Sequence, residues 1–241
     1  IEAEPVGAIT AALFGASGTA NCGNPAFAAL QARFTFSGGT CGIGNVQRLS
    51  TQQFNAGRID TSGVDARAAY AFEPAPGVRL EAGVNATYTI EYQVNDLVVE
   101  GIPVQPGFDA AGTLNFQTTA YPLPELKGFA WLQAESGAHM VRLQVNHIAG
   151  YDDQRGAAIF GPNVALGGQS VTAGQHISSF TTLDAIWRWT LPVLDGGTTL
   201  SLALVNLADK QPPLARLDQN FDPFTHNALG RTVKLGVAQA F

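Results

Sequence analysis

The chain has 241 residues, of which only 13% are charged, and it carries a net charge of −6 with a pI near 5.1. This charge argues against a nucleic-acid partner, because nucleic acids are bound by basic surfaces. No stretch approaches the roughly 20 apolar residues of a transmembrane helix. Helical spans therefore do not explain why the charged fraction is well below the usual value of about 25%.

The first fifty residues contain few strand signals and include both cysteines, Cys22 and Cys41. No His or further Cys lies nearby to complete a zinc site, so the pair favours a disulfide and an oxidising compartment. Asn24 and Pro25, before the sequence AFAALQARF, predict a short helix with Asn24 as N-cap and Pro25 at the first helical position. We expect the rest of this segment to be a long ordered loop. Ile1–Pro5 has no leader pattern, so we expect a fragment or a processed chain.

Strict alternation of apolar and polar residues then predicts a series of β-strands. The clearest runs unbroken from Val78 to Val94, far longer than the usual soluble strand of about 5–6 residues. The last predicted strand alternates through Val233, Leu235 and Val237 and ends on Phe241. The predicted strands are 46–72 (interrupted near 55–63), 78–94, about 113–135, 139–147, 178–191, 198–207 and 229–241.

The connections between these strands differ in length. Short turns are predicted at 73–77, 136–138 and 192–197, and long loops at 5–45, 95–112, 151–177 and 209–228. Antiparallel strands with short turns at one end and long loops at the other are typical of outer-membrane β-barrels, whose lipid-facing positions carry little charge. We therefore predict an all-β fold, an antiparallel transmembrane barrel segment.

The three tryptophans, Trp131, Trp187 and Trp189, each fall within a few residues of a short turn. This spacing predicts that they lie at one level, as an interfacial aromatic girdle requires. The alternative is a soluble β-sandwich with these side chains in its core. The length of the strands and the asymmetry of the loops favour the barrel.

Several motifs resemble a known family. They are Asn206-Leu-Ala-Asp-Lys-Gln-Pro-Pro213, Asp222-Pro-Phe-Thr-His-Asn227 and Gly230-Arg-Thr through Phe241 near the end of the chain, with weaker matches at Asn55…Thr61-Ser-Gly-Val-Asp65, Pro124-Glu-Leu-Lys127 and Tyr151-Asp-Asp-Gln-Arg155. Together they resemble the carboxy-terminal part of TonB-dependent outer-membrane receptors. The sequence departs from the family at Gln239, where members often carry an aromatic or apolar residue.

The resemblance implies a barrel of about 22 strands with an amino-terminal plug domain and a TonB-contacting box. Residues 1–241 would form the carboxy-terminal portion of the barrel, about its last seven or eight strands, without plug or box. Outer-membrane lipid, the TonB complex acting through the plug, the barrel-assembly machinery reading the terminal strand, and a small nutrient ligand would be its partners. The cell outer membrane of a Gram-negative bacterium would be its location.

Charged residues on the parity that would face the lumen are the first candidates for ligand contact: Arg79, Glu81, Asp184 and Arg188, together with Asp65 and Arg67. The alternative is an ion-pair network that holds the plug or neighbouring strands. Loop aromatics are further candidates, namely Phe221 and Phe224, with Phe108 and Phe160. Cys22, Cys41, the three tryptophans and Phe241 are expected to be structural.

No pattern predicts an enzyme, a metal or a cofactor. The four histidines, His139, His147, His176 and His226, are scattered along the chain, and Asp152-Asp153 fits a solvated acidic pair better than a cation site. The leading hypothesis is energy-coupled import of a scarce nutrient such as an iron–siderophore. A passive porin or a small anchor or adhesin barrel is the alternative, and an outer-membrane protease or lipase is a third class.

Overall fold

The structure, a computed structural model, describes residues 2–54, 58–115, 121–155, 173–191 and 197–239. The fold is all-β, with antiparallel sheets and, in these ranges, two short α-helices. The chain divides into two compact units. One contains Ile1–Thr61 and Glu91–Asp109, and the other contains Ser62–Ile90 and Ala110–Phe241.

Eight strands form the large sheet of the described residues, and seven of them lie side by side in chain order. Their bounds are β1 (Ile59–Ala75), β2 (Val78–Val94), β3 (Leu126–Ser136), β4 (His139–Ile148), β5 (Phe180–Leu191), β6 (Thr198–Val205) and β7 (Thr232–Gln239). The two-residue strand Phe108–Asp109 also pairs with the end of β2. Within the described residues, β1 and β7 form the two edges and do not pair with each other, so this sheet is open.

The hairpin turns agree with the predicted short connections where they are described. Gly77 and Gly137 adopt positive φ angles of 73° and 55° in the β1–β2 and β3–β4 turns, a conformation that favours glycine. The first turn is tighter than predicted, because β1 continues through Pro74 to Ala75. An edge strand tolerates proline, since one side of it needs no N–H donor. The third predicted turn lies almost entirely outside the described residues.

The two faces of the large sheet differ in chemistry. Residues directly opposite each other on neighbouring strands share a face, and one such row across six strands is apolar: Leu80, Ala134, Val141, Trp187, Leu202 and Leu235. The row next to it, on the other face, is mainly polar: Glu81, Gln133, Arg142, Ile186, Ala203 and Lys234. On the apolar face, Leu132 is 51% exposed and Leu235 is 82% exposed. The apolar face of the sheet is therefore exposed in this chain, whereas large apolar side chains are most often buried in soluble proteins.

The first unit is more structured than the predicted loop. It contains helix α1 (Val6–Phe14), a 3-10 turn at Pro25–Phe27, helix α2 (Ala28–Gln31) and three pairs of short strands: Glu2–Ala3 with Gln53–Phe54, Phe34–Phe36 with Val46–Leu49, and Leu97–Val99 with Ile102–Gln105. Its core consists of Ile9, Leu13, Phe14, Leu30, Phe34 and Val99. The expectation of a long loop was therefore wrong. The sequence carries no start signal for helix α1, because the helix has no capping side chain and no acidic residue in its first turn.

Two cross-links hold the first unit together. The predicted disulfide between Cys22 and Cys41 is confirmed, and so is the predicted cap, in which Asn24 accepts a hydrogen bond from the Ala26 N–H at 3.0 Å. The Arg33 guanidinium forms a two-pronged ion pair with the buried Glu4 carboxylate. These hydrogen bonds from Arg33 are the main reason that the pKa of Glu4 is lowered. The pair fastens the chain start to the segment that carries Phe34.

None of the helices in the described part of the chain is long and apolar enough to cross a membrane.

Candidate functional site

The polar face of the large sheet brings together the charged residues predicted to share it. Arg79 lies opposite Glu135 on β3, which lies opposite Met140 on β4, which in turn lies opposite Arg188 on β5. Asp184 lies opposite Gln144, one row of this face further from the short β3–β4 turn than Arg142. The parity predicted for Arg79, Glu81, Asp184 and Arg188 is therefore confirmed. Asp65 is on the same face, where it accepts a hydrogen bond from the Thr87 hydroxyl at 2.6 Å.

Most of these groups are held by neighbouring side chains of the same face. Arg79 and Glu81 form an ion pair at 3.7 Å. A chain of side-chain hydrogen bonds runs along β4 and onto β5, from Arg142 to Gln144 at 2.9 Å, from Gln144 to Asn146 at 2.7 Å, and from Asn146 to Asp184 at 2.8 Å. Asp184 also accepts the backbone N–H of Asn206 at 2.8 Å. This polar ladder, Arg142–Gln144–Asn146–Asp184, fixes the side chains of the polar face.

Arg188 lies beside a cavity of about 320 Å³ on the same face, close to the short β3–β4 turn. The cavity lining includes Gln133, Glu135, Met140 and Thr190. Arg188 itself is exposed. Of the two arginines among the four candidates, Arg79 is paired with Glu81, whereas no ion pair of Arg188 is seen among the described residues.

Trp131 corrects the prediction of a three-tryptophan girdle. Its indole lies on the polar face, opposite Gly83, where its N–H donates to Glu81 Oε1 at 3.3 Å. The Arg142 guanidinium stacks on the ring at 4.9 Å from its centroid. Trp131 is buried, because Gly83 on the opposite strand leaves room for the ring and Arg142 covers it. Within β3 it shares its parity with Gln133 and Glu135, and this could have shown its face from the sequence.

Trp187 and Trp189 lie on the apolar face, as a girdle requires. Their rings are 6.2 Å apart, and His139, the first residue of β4, stacks on both of them. Tyr70 and Phe72 form a second stacked pair near the β1–β2 turn, with rings 5.8 Å apart. These aromatic side chains all lie within a few residues of a short turn, and the sequence reading had not assigned the second pair.

At the opposite, long-loop end of the sheet, a buried polar cluster joins two connections. Tyr151, just after β4, donates its hydroxyl to Asp222 Oδ2 at 2.5 Å, and His226 Nε2 lies 3.2 Å from the same hydroxyl. Because that hydroxyl donates to Asp222, it accepts from His226, so the proton of the neutral imidazole is on Nε2. His226 Nδ1 is buried and has no hydrogen-bond partner among the described residues.

Burial decides the protonation states of this cluster. It lowers the pKa of His226, and the nearby Asp222 charge only partly opposes it. Burial and the bond to Asp222 raise the pKa of Tyr151 far above its ordinary value. A neutral histidine and a protonated tyrosine at neutral pH hold the loops together. The sequence reading missed the cluster because about 70 residues separate Tyr151 from its partners.

An ion-pair cluster lies beside it and corrects the interpretation of Asp152-Asp153. Asp152 is exposed and binds His176 at 2.7 Å, but Asp153 is buried and pairs with Arg155 at 2.8 Å and with the fully buried Arg216 at 3.0 Å. Burial opposes ionisation of Asp153, but the hydrogen bonds from Arg155 and Arg216 outweigh it and lower its pKa. Asp153 is therefore a buried ion-pair partner and not part of a solvated pair.

The turn motif Asn206-Leu-Ala-Asp209 has a physical explanation. Asn206 and Asp209 both adopt positive φ angles, 53° and 54°, which Asn and Asp tolerate better than other non-glycine residues. The Asn206 side chain exchanges two hydrogen bonds with the backbone of Lys210, and Asp209 Oδ1 accepts the Arg231 N–H at 2.7 Å. These bonds close the long β6–β7 connection at its base.

The predicted loop aromatics differ in their surroundings. Phe224 is 65% exposed and stacks on Tyr121 with ring centroids 4.6 Å apart. Phe221 is half-buried, and Phe108 lies in the short strand at the end of β2. Phe160 and Phe241 lie outside the described residues. Among those that are described, no group of three or more His, Cys, Asp or Glu side chains is placed to hold a metal ion.

Comparison with known proteins adds no family assignment. No protein-family model matches the chain. No curated protein matches it either. The resemblance to TonB-dependent receptors rests on the motifs of the sequence.

Proposed function

We propose that this chain is part of an outer-membrane β-barrel of the TonB-dependent receptor kind, which imports a scarce nutrient such as an iron–siderophore. The carrying observation is the outward apolar face, which extends across neighbouring strands opposite a polar face. In water such a face costs free energy in proportion to its area. Against lipid it is the expected surface of a barrel.

The strand dimensions support the same proposal. β3, β4 and β5 have 11, 10 and 12 residues, and a tilted strand crosses a bilayer with about 9–11 residues. The aromatic side chains of Trp187, Trp189, Tyr70 and Phe72 lie near the short turns, at the end of the apolar face, where interfacial aromatics are favourable. The polar face would then line a lumen, and the long connections would lie at the cell surface.

The membrane proposal is tested with the full-length gene product in its own host. We expect it in the outer-membrane fraction and expect its gel migration to change on heating, because a folded barrel resists detergent at room temperature. Recovery in the soluble periplasmic fraction would contradict the proposal.

Import is tested by uptake of radioactive iron complexes in cells with and without the receptor gene and with and without TonB. We expect receptor-dependent uptake that is lost without TonB. Uptake that requires the receptor but persists without TonB would indicate a passive pore instead.

A further inference from the structure

Two exposed aromatic side chains meet at the long-loop end of the large sheet. Tyr121, in the connection before β3, is 53% exposed, and Phe224, in the connection between β6 and β7, is 65% exposed. Their rings are stacked, with centroids 4.6 Å apart and planes at 16°. Each ring covers one face of the other, which leaves an outward face on the pair. We call these two residues the aromatic pair.

Buried polar groups hold the backbone beneath both rings. Tyr121 has a positive φ of 58°, and its carbonyl accepts a hydrogen bond at 3.0 Å from the side chain of the fully buried Asn115. The N–H of Phe224 donates at 2.9 Å to the fully buried Asp222, which is bound on its other oxygen by Tyr151. A left-handed backbone at a bulky residue costs free energy and persists only where its surroundings enforce it.

This arrangement exposes two aromatic rings to water, which costs free energy, and it holds both rings in fixed positions. An aromatic ring left mostly in water gives up much of the gain of burial, and both rings do so while their backbones are immobilised. Preorganised exposed aromatic surface is typical of a binding site, because little entropy remains to be lost when a ligand arrives. The ligand chemistry that suits a stacked pair is another flat ring, which adds to the stack in the offset geometry that aromatic rings prefer.

We propose that the aromatic pair binds a planar aromatic ring carried by the imported ligand. The proposal rests on the import function proposed above and narrows its substrate class to ring-bearing metal chelates. A second reading is that the pair only fastens two loops together. That role needs apolar volume but no aromatic face, and the two can therefore be separated by substitution.

The test uses the full-length receptor in detergent and two probes, the ferric complex of catechol, which has aromatic rings, and the ferric complex of acetohydroxamic acid, which has none. Binding is measured by retention of radioactive iron on the protein. We expect the unsubstituted receptor to prefer the ring-bearing complex. We expect Phe224→Leu and Tyr121→Ala each to weaken that complex about fivefold to tenfold, the usual scale of one aromatic contact.

Tyr121→Phe keeps the ring and should retain the affinity. Leu229→Ala is the matched control, because Leu229 is an exposed apolar residue of the same β6–β7 connection. Heat-modifiable migration verifies that each variant is folded. If Tyr121→Ala does not fold, Phe224→Leu, which retains apolar volume, still decides the question.

Equal affinity for the two complexes, binding of neither, or full affinity in Phe224→Leu would overturn the aromatic site. None of these results affects TonB-dependent uptake, which is measured separately in cells. Conversely, a ring preference in a receptor whose uptake ignores TonB would support the site and contradict the import proposal.

Discussion

Gly83 and Trp131 lie opposite each other on neighbouring strands, and the Trp131 ring fills the space that a side chain at position 83 would need. A Cβ atom on Gly83 would lie 2.2 Å from the Trp131 ring, well inside van der Waals contact. The indole is held there by its hydrogen bond to Glu81 and by the Arg142 guanidinium stacked on the ring. The glycine is therefore required by close approach, since its own backbone lies in an ordinary strand.

We expect Gly83→Ala to destabilise the folded protein by about 1–3 kcal/mol, the usual cost of overpacking. Denaturant unfolding of the receptor in detergent measures this cost. The matched experiment repeats Gly83→Ala in a Trp131→Ala background, where that space is empty and the cost should largely disappear. An equal cost in both backgrounds would show that the two residues are not coupled.

His226 makes the long-loop end sensitive to acid. Burial lowers the pKa of His226 in the folded state. The titratable groups that surround its ring are Tyr151, Asp222 and, further away, Lys127. The unfolded chain then binds more protons than the folded chain in the range between the lowered pKa and the ordinary value of about 6.5. The stabilisation is complete above that ordinary value and is lost as the pH falls through the lowered pKa.

We therefore expect amide exchange in the β6–β7 connection to accelerate as the pH falls below about 6.5, after correction for the intrinsic pH dependence of exchange. The variant His226→Gln cannot titrate and should lose this acid-induced acceleration, although it is less stable at all pH values. An unchanged pH profile in that variant would assign the effect to another group.

At the scale of the strands, the two faces of the large sheet should differ in how well they tolerate a charged side chain. Leu132 and Gln133 are neighbours in β3 and lie on the apolar and polar faces respectively. In lipid, Leu132→Arg should cost about 2–4 kcal/mol near the membrane midplane, whereas Gln133→Arg should cost much less. Folding equilibria in lipid vesicles measure the difference. Because Leu132 is 51% exposed, both substitutions would be nearly neutral if this face met water.

Elements whose signal lies in one continuous stretch of sequence could be predicted, and contacts between residues far apart in the chain could not. β2 has the predicted bounds, because 17 residues of alternation admit one strand and one pair of faces. Helix α1 was missed because its one acceptable signal, an apolar stretch, also fits a loop or a strand. The cluster of Tyr151, Asp222 and His226 could not be found, because only the folded chain brings the three residues together.

At the scale of the whole molecule, the division into two units predicts two stabilities. The Cys22–Cys41 disulfide closes a loop within the first unit, which is worth about 3 kcal/mol in the chain-entropy model. We expect the double variant Cys22→Ser/Cys41→Ser to become sensitive to trypsin after Arg33, whose side chain is only 9% exposed and is paired with Glu4 in the intact unit.

The gel migration of the double variant should still change on heating, as for the wild-type protein, because the large sheet remains folded. The wild-type protein under reducing conditions should show the same trypsin cleavage pattern as the double variant. Simultaneous loss of both units would show that they unfold as one cooperative body.

The polar ladder has a consequence for anything that moves along it. Three hydrogen bonds join Arg142, Gln144, Asn146 and Asp184, although the buried Arg142 Nε has no partner among the described residues. A polar solute that binds Gln144, Asn146 or Asp184 would therefore have to break a bond for each one it makes. The net gain of such an exchange is small. If this face lines a lumen, as proposed above, a hydrated cargo would be held only weakly along the ladder. It would be held more strongly at Arg188, which is exposed and for which no ion pair is seen among the described residues.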